Sequence, residues 1–319
     1  MAEALVLPEL GFGTANVGNL LGVLPDEQAH AVLDAAWEAG IRYFDTAPHY
    51  GLGLAERRLG AFLRSKPRGD YVVSTKAGRL LVPDRDWDGE SLDLGDAYHV
   101  PASTRRQWDF TPDGVRRSLD ESLERMGLDD VDLLYLHDPE GSGDATAAIA
   151  SGAEGLHALK AEGRIAATGL GSMTTRSLEL GAEAWLDVLM VAGRLTLADQ
   201  PALARVVPLC AVNGTRIVAA SVFNSGVLAT DDPGEDALYQ YGSVPPEVLE
   251  KVRRIRAVCR SFGVSLPAAA LQYPRRFTPV ACVVTGTGDP DQLRQNVAHA
   301  TVTIPEALWD ALAQEGLIP

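Results

Sequence analysis

Apolar runs of strand length alternate along this chain with longer stretches whose apolar positions recur at helical spacing. That alternation predicts parallel strands joined by crossover helices. The first run is Leu10-Gly11-Phe12-Gly13-Thr14, and Pro25-Asp26-Glu27 then opens an amphipathic helix through Ala29, Val32, Leu33, Ala36 and Trp37, closed by Gly40. Further strands are predicted over 41–45, 71–75, 131–136, 165–170, 188–191, 216–220 and 281–284. The intervening helices are predicted over 55–63, 112–126, 147–161 and 246–262, with another running to Val207. Eight strand candidates without a compositional break predict an α/β protein, a (β/α)8 TIM barrel occupying 1–319 as a single domain.

Two connections fall outside the regular count. The segment 78–110 is rich in Asp, Gly and Pro, and an irregular connection of that length in a compact domain is expected to be a functional lid. The second is 221–243.

Composition narrows the functional classes. With 46% hydrophobic and 22% charged residues the chain can fill a large core, which excludes disordered and collagen-like classes. The net charge of −15 repels a phosphate backbone and an anionic bilayer, so neither nucleic acid nor membrane is an expected partner. Cys210, Cys259 and Cys282 are odd in number and lack CxxC spacing, so they are expected as reduced core thiols. No long apolar run occurs, and the stretch Met1 to Pro8 lacks a basic leader, which predicts a cytoplasmic protein. Monomer and homodimer both remain open.

A barrel of this kind places working residues at the C-terminal ends of its strands. Asp45 ends the second predicted strand, Tyr50 lies five residues on, Lys76 follows the third and His137 the fourth. Each alone has an ordinary structural reading as a cap, a packing residue or a satisfied core histidine. Together they form a workable proton-transfer set. A free phenol has a pKa of about 10, and an adjacent ammonium favours its ionised form, so Lys76 is expected to bring Tyr50 toward neutrality while Asp45 holds Lys76. No metal site is expected, since His137-Asp138 has no second ligand at i+3 or i+4.

Tyr43-Phe44-Asp45-Thr46-Ala47-Pro48-His49-Tyr50-Gly51, Ser74-Thr75-Lys76 and Tyr135-Leu136-His137 resemble the catalytic tetrad of the aldo-keto reductases, spaced by 5, 26 and 61 residues. The resemblance runs from Gly11 to Asn296. It implies a (β/α)8 fold, Tyr50 as general acid/base, Lys76 tuning it, Asp45 pairing with Lys76, and His137 orienting the substrate oxygen or assisting proton transfer. It also implies direct hydride transfer to or from a nicotinamide cofactor.

No GxGxxG follows the first strand, which argues against a doubly wound dinucleotide fold. Instead, 283–296 reads as a strand, a Gly-rich turn and a Pro-initiated helix, with backbone N–H groups that could face phosphate oxygens and Gly286 and Gly288 allowing close approach. By the resemblance this is the adenosine-phosphate site, with Gly286, Thr287, Gln292 and Asn296 as contacts. Gly13, Thr14, Asp45, Gly171, Ser172, Ser221, Phe223 and Gly226 are the other implied cofactor contacts. NADP-preferring members carry Lys or Arg where Gly286 and Gln292 stand, and Asp289 and Asp291 flank the turn here, so NAD is expected over NADP; Arg294 is the one opposing charge. Ala220 stands where an aromatic residue often stacks on the nicotinamide, and Phe223 is the candidate substitute.

Within the family, the segments 192–194, 223–228 and 268–272 resemble dehydrogenases of L-fucose and related D-threo-aldoses, and pyridoxal 4-dehydrogenases. These oxidise a cyclic hemiacetal to a lactone. The expected substrate is therefore a small sugar or aldehyde, with Arg194 and Thr196 as candidates to bind sugar hydroxyls; a rim ion pair is the equal alternative for Arg194. The same tetrad run in reverse would make a general aldehyde or ketone reductase. His49, His99, Trp108 and Asp109 lie in or near loops that could cover the pocket.

Overall fold

The structure is a computed structural model that describes residues 5–319, so the first half of the N-terminal stretch read for a leader lies outside the described residues. Eight parallel strands close into a barrel: β1 (Leu10–Gly13), β2 (Tyr43–Asp45), β3 (Val72–Ala77), β4 (Leu133–His137), β5 (Ala167–Ser172), β6 (Val188–Ala192), β7 (Arg216–Ala220) and β8 (Val280–Thr285). Neighbours in sequence are neighbours in the barrel, and β8 closes on β1. Helices α1 (Asp26–Glu38), α2 (Leu54–Leu63), α3 (Pro112–Met126), α4 (Ala145–Ala161), α5 (Thr175–Glu183), α6 (Val206–Asn213), α7 (Pro246–Ser261), α8 (Leu266–Gln272), α9 (Pro290–Thr301) and α10 (Glu306–Gln314) account for the outer layer.

Strand alternation sorts side chains between two cores. Tyr43, Leu133, Tyr135, Val188, Met190, Val218, Cys282 and Val284 point into the barrel. Phe44, Val73, Leu134, Leu136, Leu170, Leu189 and Ile217, from the alternate positions, pack outward against the helices. Both faces are apolar, so the strands read as continuous hydrophobic runs. The predicted strands fall within a residue or two of the observed ones. The helix over 112–126 matches α3, where Thr111 accepts a bond from the Gly114 amide and Gly127, at φ +62°, ends the helix.

Two expectations need correction. The helix running to Val207 is displaced: α6 begins at Val206, because Arg194 and Thr196 tie the preceding stretch into irregular turns. The connection 78–110 is also not structureless. Arg79–Pro83 pairs antiparallel with Thr104–Trp108 in an ordered hairpin that continues β3 beyond the barrel rim. The connection 221–243 carries a smaller hairpin, Leu238–Tyr239 with Gly242–Ser243. The three cysteines are unpaired and buried, and no helix among the described residues is long and apolar enough to cross a membrane.

Candidate active site

Asp45, Lys76 and His137 all stand on inward-facing positions at the same end of the barrel. Asp45 is level with Ser74, Lys76 with Tyr135, and His137 with Gly171. Lys76 Nζ donates to Asp45 Oδ2 at 2.6 Å and to the Thr46 carbonyl at 3.0 Å, with both charged side chains almost fully buried. The other Asp45 oxygen accepts from Ser74 Oγ at 2.8 Å. Below it, the Tyr43 hydroxyl meets Ser74 Oγ at 3.0 Å and the Tyr135 hydroxyl at 3.1 Å. These three hydroxyls, none of them singled out as partners from the sequence, make a polar column in the barrel that keeps Asp45 from rotating away. Their signal was their even spacing on inward strand positions.

Tyr50 sits in the turn after β2 and is only half-buried, facing the barrel mouth. Lys76 Nζ lies 4.6 Å from its ring centroid, and the His137 ring meets it edge-on at 5.8 Å and 90°. The turn is held by close backbone contact. Gly51 has φ +61°, and a Cβ there would lie 2.1 Å from the Gly18 carbonyl oxygen; a Cβ on Gly18 would lie 2.8 Å from the Tyr50 carbonyl. Neither position admits a larger residue without moving Tyr50.

The electrostatics depart from one expectation. Burial, reinforced by the Asp45 carboxylate, holds the Tyr50 phenol well above its ordinary value. Arg79 is the cation that opposes this rise, and it does not overcome burial and the Asp45 carboxylate. Burial also raises the Asp45 carboxyl. His137 is pushed well below the usual histidine range by burial and by the nearby Arg79 and Lys76 cations, so it is neutral.

The rim contains groups beyond the four. Arg106 Nε donates to His49 Nδ1 at 2.5 Å and its Nη2 to the His49 carbonyl at 3.1 Å, while the guanidinium also pairs with Asp93. Burial and the Arg79 and Arg106 cations push His49 down to about 2. Arg79 forms an ion pair with Asp138 and lies 4.6 Å over the Trp108 ring. Asp138 itself, at φ +42°, is pushed up to about 6 by burial despite that cation. Tyr241, from the second long connection, donates its amide to Ser225 Oγ at 3.0 Å and comes within electrostatic range of Tyr50 and Asp138. His99 and Asp109 have local structural duties: the His99 carbonyl accepts from Asn19, and Asp109 accepts from the Thr111 amide.

The two sugar-binding candidates both have protein partners. Arg194 donates to the Met173 carbonyl at 2.6 Å, to Asp199 at 3.0 Å and to Gln240 at 3.1 Å, so it pins three loops together. Thr196 is buried and exchanges hydrogen bonds with Asp199.

The implied cofactor contacts divide similarly. Thr14 is buried and donates its hydroxyl to the Asp45 carbonyl at 3.0 Å, fastening β1 to β2 at the site. Ser172 donates to Glu140 at 2.6 Å beside Gly171, which packs near Lys76 and Met190. Phe223 packs against the apolar layer between the barrel wall and α7–α8, so it is not placed as a free stacking face. A Cβ on Gly286 would come 2.6 Å from the Gly13 carbonyl oxygen, and one on Gly288 would press on Leu24, so both glycines are explained by internal packing. The N-terminal amides of α9 at Asp291 and Gln292 donate to the Asp289 carboxylate, so the turn carries a fixed negative charge. Thr287 Oγ1 meets Gln292 Oε1 at 2.7 Å, and Asn296 is half-buried on the same helix.

Other groups at this rim suit a dinucleotide. Thr46 Oγ1, Asn224 Oδ1 and Thr285 Oγ1 are buried without a hydrogen-bond partner at the ends of β2, β7 and β8. Each orphan costs about 1–3 kcal/mol, which a polar ligand would relieve. Ser221, Asn224, Ser225 and Gly226 have positive φ in the tight turns that follow β7, where the Asn224 amide donates to the Ser221 carbonyl at 2.9 Å and the Gly226 amide to the Phe223 carbonyl at 3.0 Å. A separate concavity of about 670 Å³, bordered by Glu9, Gln272, Arg275 and Trp309, holds none of these groups.

Comparison with known proteins bears on the whole chain. It is 54% identical to the D-threo-aldose 1-dehydrogenase of a Pseudomonas species, over 100% of this chain and 97% of that one. It is 38% identical to the pyridoxal 4-dehydrogenase of Microbacterium luteolum, over 98% and 95%. A glycerol dehydrogenase structure from Gluconobacter oxydans shares the fold with a TM-score of 0.74 at 21% identity, covering 98% of this chain and 94% of the other. The Aldo/keto reductase family model matches residues 9–314. With the barrel closed and the Asp45–Lys76 pair beneath Tyr50, the chain belongs to the aldo/keto reductase family, whose members are oxidoreductases that use nicotinamide cofactors.

Proposed function

We propose that this enzyme is an NAD-dependent aldose 1-dehydrogenase, oxidising the anomeric hydroxyl of an L-fucose or D-threo-aldose type sugar to a lactone. The observation that carries this reading is the buried Lys76–Asp45 pair set against the face of Tyr50, with His137 edge-on to the same ring. The 54% identity to a D-threo-aldose 1-dehydrogenase supports the substrate class.

In this reading Tyr50 is the acid/base. For oxidation its phenol must first lose a proton to solvent; the phenolate then takes the proton of the anomeric hydroxyl. Because the neutral phenol is favoured in the unliganded protein, oxidation is expected to speed up as pH rises. His137, being neutral, orients the substrate oxygen with a ring nitrogen and does not act as a cationic acid. A bound nicotinamide cofactor would supply the hydride acceptor for the anomeric carbon. Thr46, Asn224 and Thr285, whose side-chain oxygens lack a protein partner, are the groups that would hold it.

NAD is preferred on charge. Gly286 and Gln292 are uncharged, Asp289 and Asp291 border the turn, and the opposing Arg294 is occupied by Asp291 at 2.7 Å. A 2′-phosphate would meet carboxylates there.

The test is a panel of L-fucose, D-arabinose, L-galactose and pyridoxal with NAD and with NADP, following cofactor reduction and lactone formation. Turnover of an aldose with at least tenfold higher kcat/KM for NAD is expected. A tenfold preference for NADP contradicts the cofactor assignment, and turnover of pyridoxal alone moves the substrate to the second relative's class. The protonated phenol favours one further reading, an aldehyde reductase, which the same panel supports if aldoses are inert and aldehydes are reduced.

A further inference from the structure

With Arg194 and Thr196 engaged elsewhere, another set of groups must read the substrate's remaining hydroxyls. Two candidates flank the acid/base. His49 immediately precedes Tyr50, and its ring lies 5.5 Å from His137, 5.4 Å from Tyr98 and 6.0 Å from Tyr50. Arg106 donates to its Nδ1, which settles the tautomer: the ring proton is on Nε2. The structure gives Nε2 no bond to another described residue, and it is not among the sealed, orphaned atoms, so the ring offers one fixed donor to the cavity. Asp138 immediately follows His137, with its carboxylate 3.6 Å from His137 Nε2 and its other neighbour the Arg79 guanidinium. A donor thus precedes Tyr50 in the chain and an acceptor follows His137, each held by an arginine of the Arg79–Pro83 and Thr104–Trp108 hairpin.

We propose that His49 and Asp138 bind the non-reacting hydroxyl next to the substrate's reacting carbon, making them the specificity-determining residues of this site. Arg106 and Arg79 are positioning residues that aim the donor and the acceptor. One hydroxyl satisfies both, donating to Asp138 and accepting from His49 Nε2. A site built this way rejects a substrate lacking that hydroxyl, because its own buried polar groups are then left unpaired. The proposal deepens the aldose reading, but it is testable without that reading.

The experiment measures reduction of glyceraldehyde and of propanal by the purified enzyme with reduced cofactor, and takes the ratio of their kcat/KM values. The two aldehydes differ in hydroxyls, and the measurement needs only the family's oxidoreductase chemistry. Wild type is expected to prefer glyceraldehyde. His49→Phe, which keeps a ring and deletes the donor, should lower the ratio at least tenfold, and His49→Gln, which restores a donor, should recover part of it. Asp138→Asn should lower it at least fivefold; Asn is chosen because it tolerates the positive φ of this position. Should either variant fail to fold, Arg106→Lys reads the same preference, since it keeps the charge facing Asp93 but cannot make both His49 bonds, and a threefold fall is expected. A wild type with no preference for glyceraldehyde, or a ratio within twofold of wild type in the variants, overturns the proposal. An enzyme that does not oxidise L-fucose, D-arabinose or L-galactose with either cofactor yet reduces glyceraldehyde selectively sinks the aldose-dehydrogenase reading alone.

Discussion

A carboxylate and an ammonium this deeply buried are tolerable only as a pair, because taking one charge out of water unpaired costs far more than the pair returns. Lys76→Met should therefore lower unfolding free energy by about 3–5 kcal/mol, measured by urea titration, by leaving Asp45 alone in the barrel. Combining it with Asp45→Leu should recover part of that loss, and a single variant within 1 kcal/mol of wild type would mean that Asp45 is relieved another way. The four rim residues could be found from sequence because each ends a strand or follows one closely. The protonation of Tyr50 could not: it depends on how deeply the folded rim buries the phenol and how near it brings the Asp45 carboxylate. Likewise Arg194 is indistinguishable in sequence from a ligand-binding arginine until its three protein partners are in view.

At the scale of elements, close helix contact sets the barrel's outer layer. Gly60 of α2 lies against the C-terminus of α3, where a Cβ would come 2.1 Å from the Met126 carbonyl oxygen. Gly60→Ala should destabilise the protein by about 1–3 kcal/mol, read in the same titration, since backbone cannot yield as a side chain does. The strands and α3 were legible because periodicity and capping residues are local signals. The hairpin within 78–110 was not, since its strands are separated by a turn-rich segment and Thr104–Trp108 has four exposed or half-exposed polar side chains where an apolar alternation would be sought. Its contribution is chemical as well as structural: it supplies Arg79, Arg106 and Trp108 to the rim.

For the molecule as a whole, the rim histidines link function to acid stability. His49 is held at about 2 in the folded protein against 6.5 when unfolded, so below pH 6.5 the unfolded chain takes up a proton that the native state refuses. Stability then falls as pH falls, by up to roughly 1.4 kcal/mol per pH unit from this group. Asp138, raised to about 6, acts in the opposite sense between its unfolded value and pH 6, so the comparison must isolate His49. Against wild type, His49→Gln should show a smaller loss of unfolding free energy between pH 7 and pH 5; an equal loss would contradict the neutral, Arg106-bound state.

The account's centre is that one phenol handles the proton. Tyr50→Phe removes its hydroxyl and keeps the ring against Lys76, so binding of NAD, followed by fluorescence, should survive while kcat on the best aldose found in the panel falls at least ~100-fold. Retention of more than about a tenth of wild-type kcat, with cofactor still bound, would contradict it.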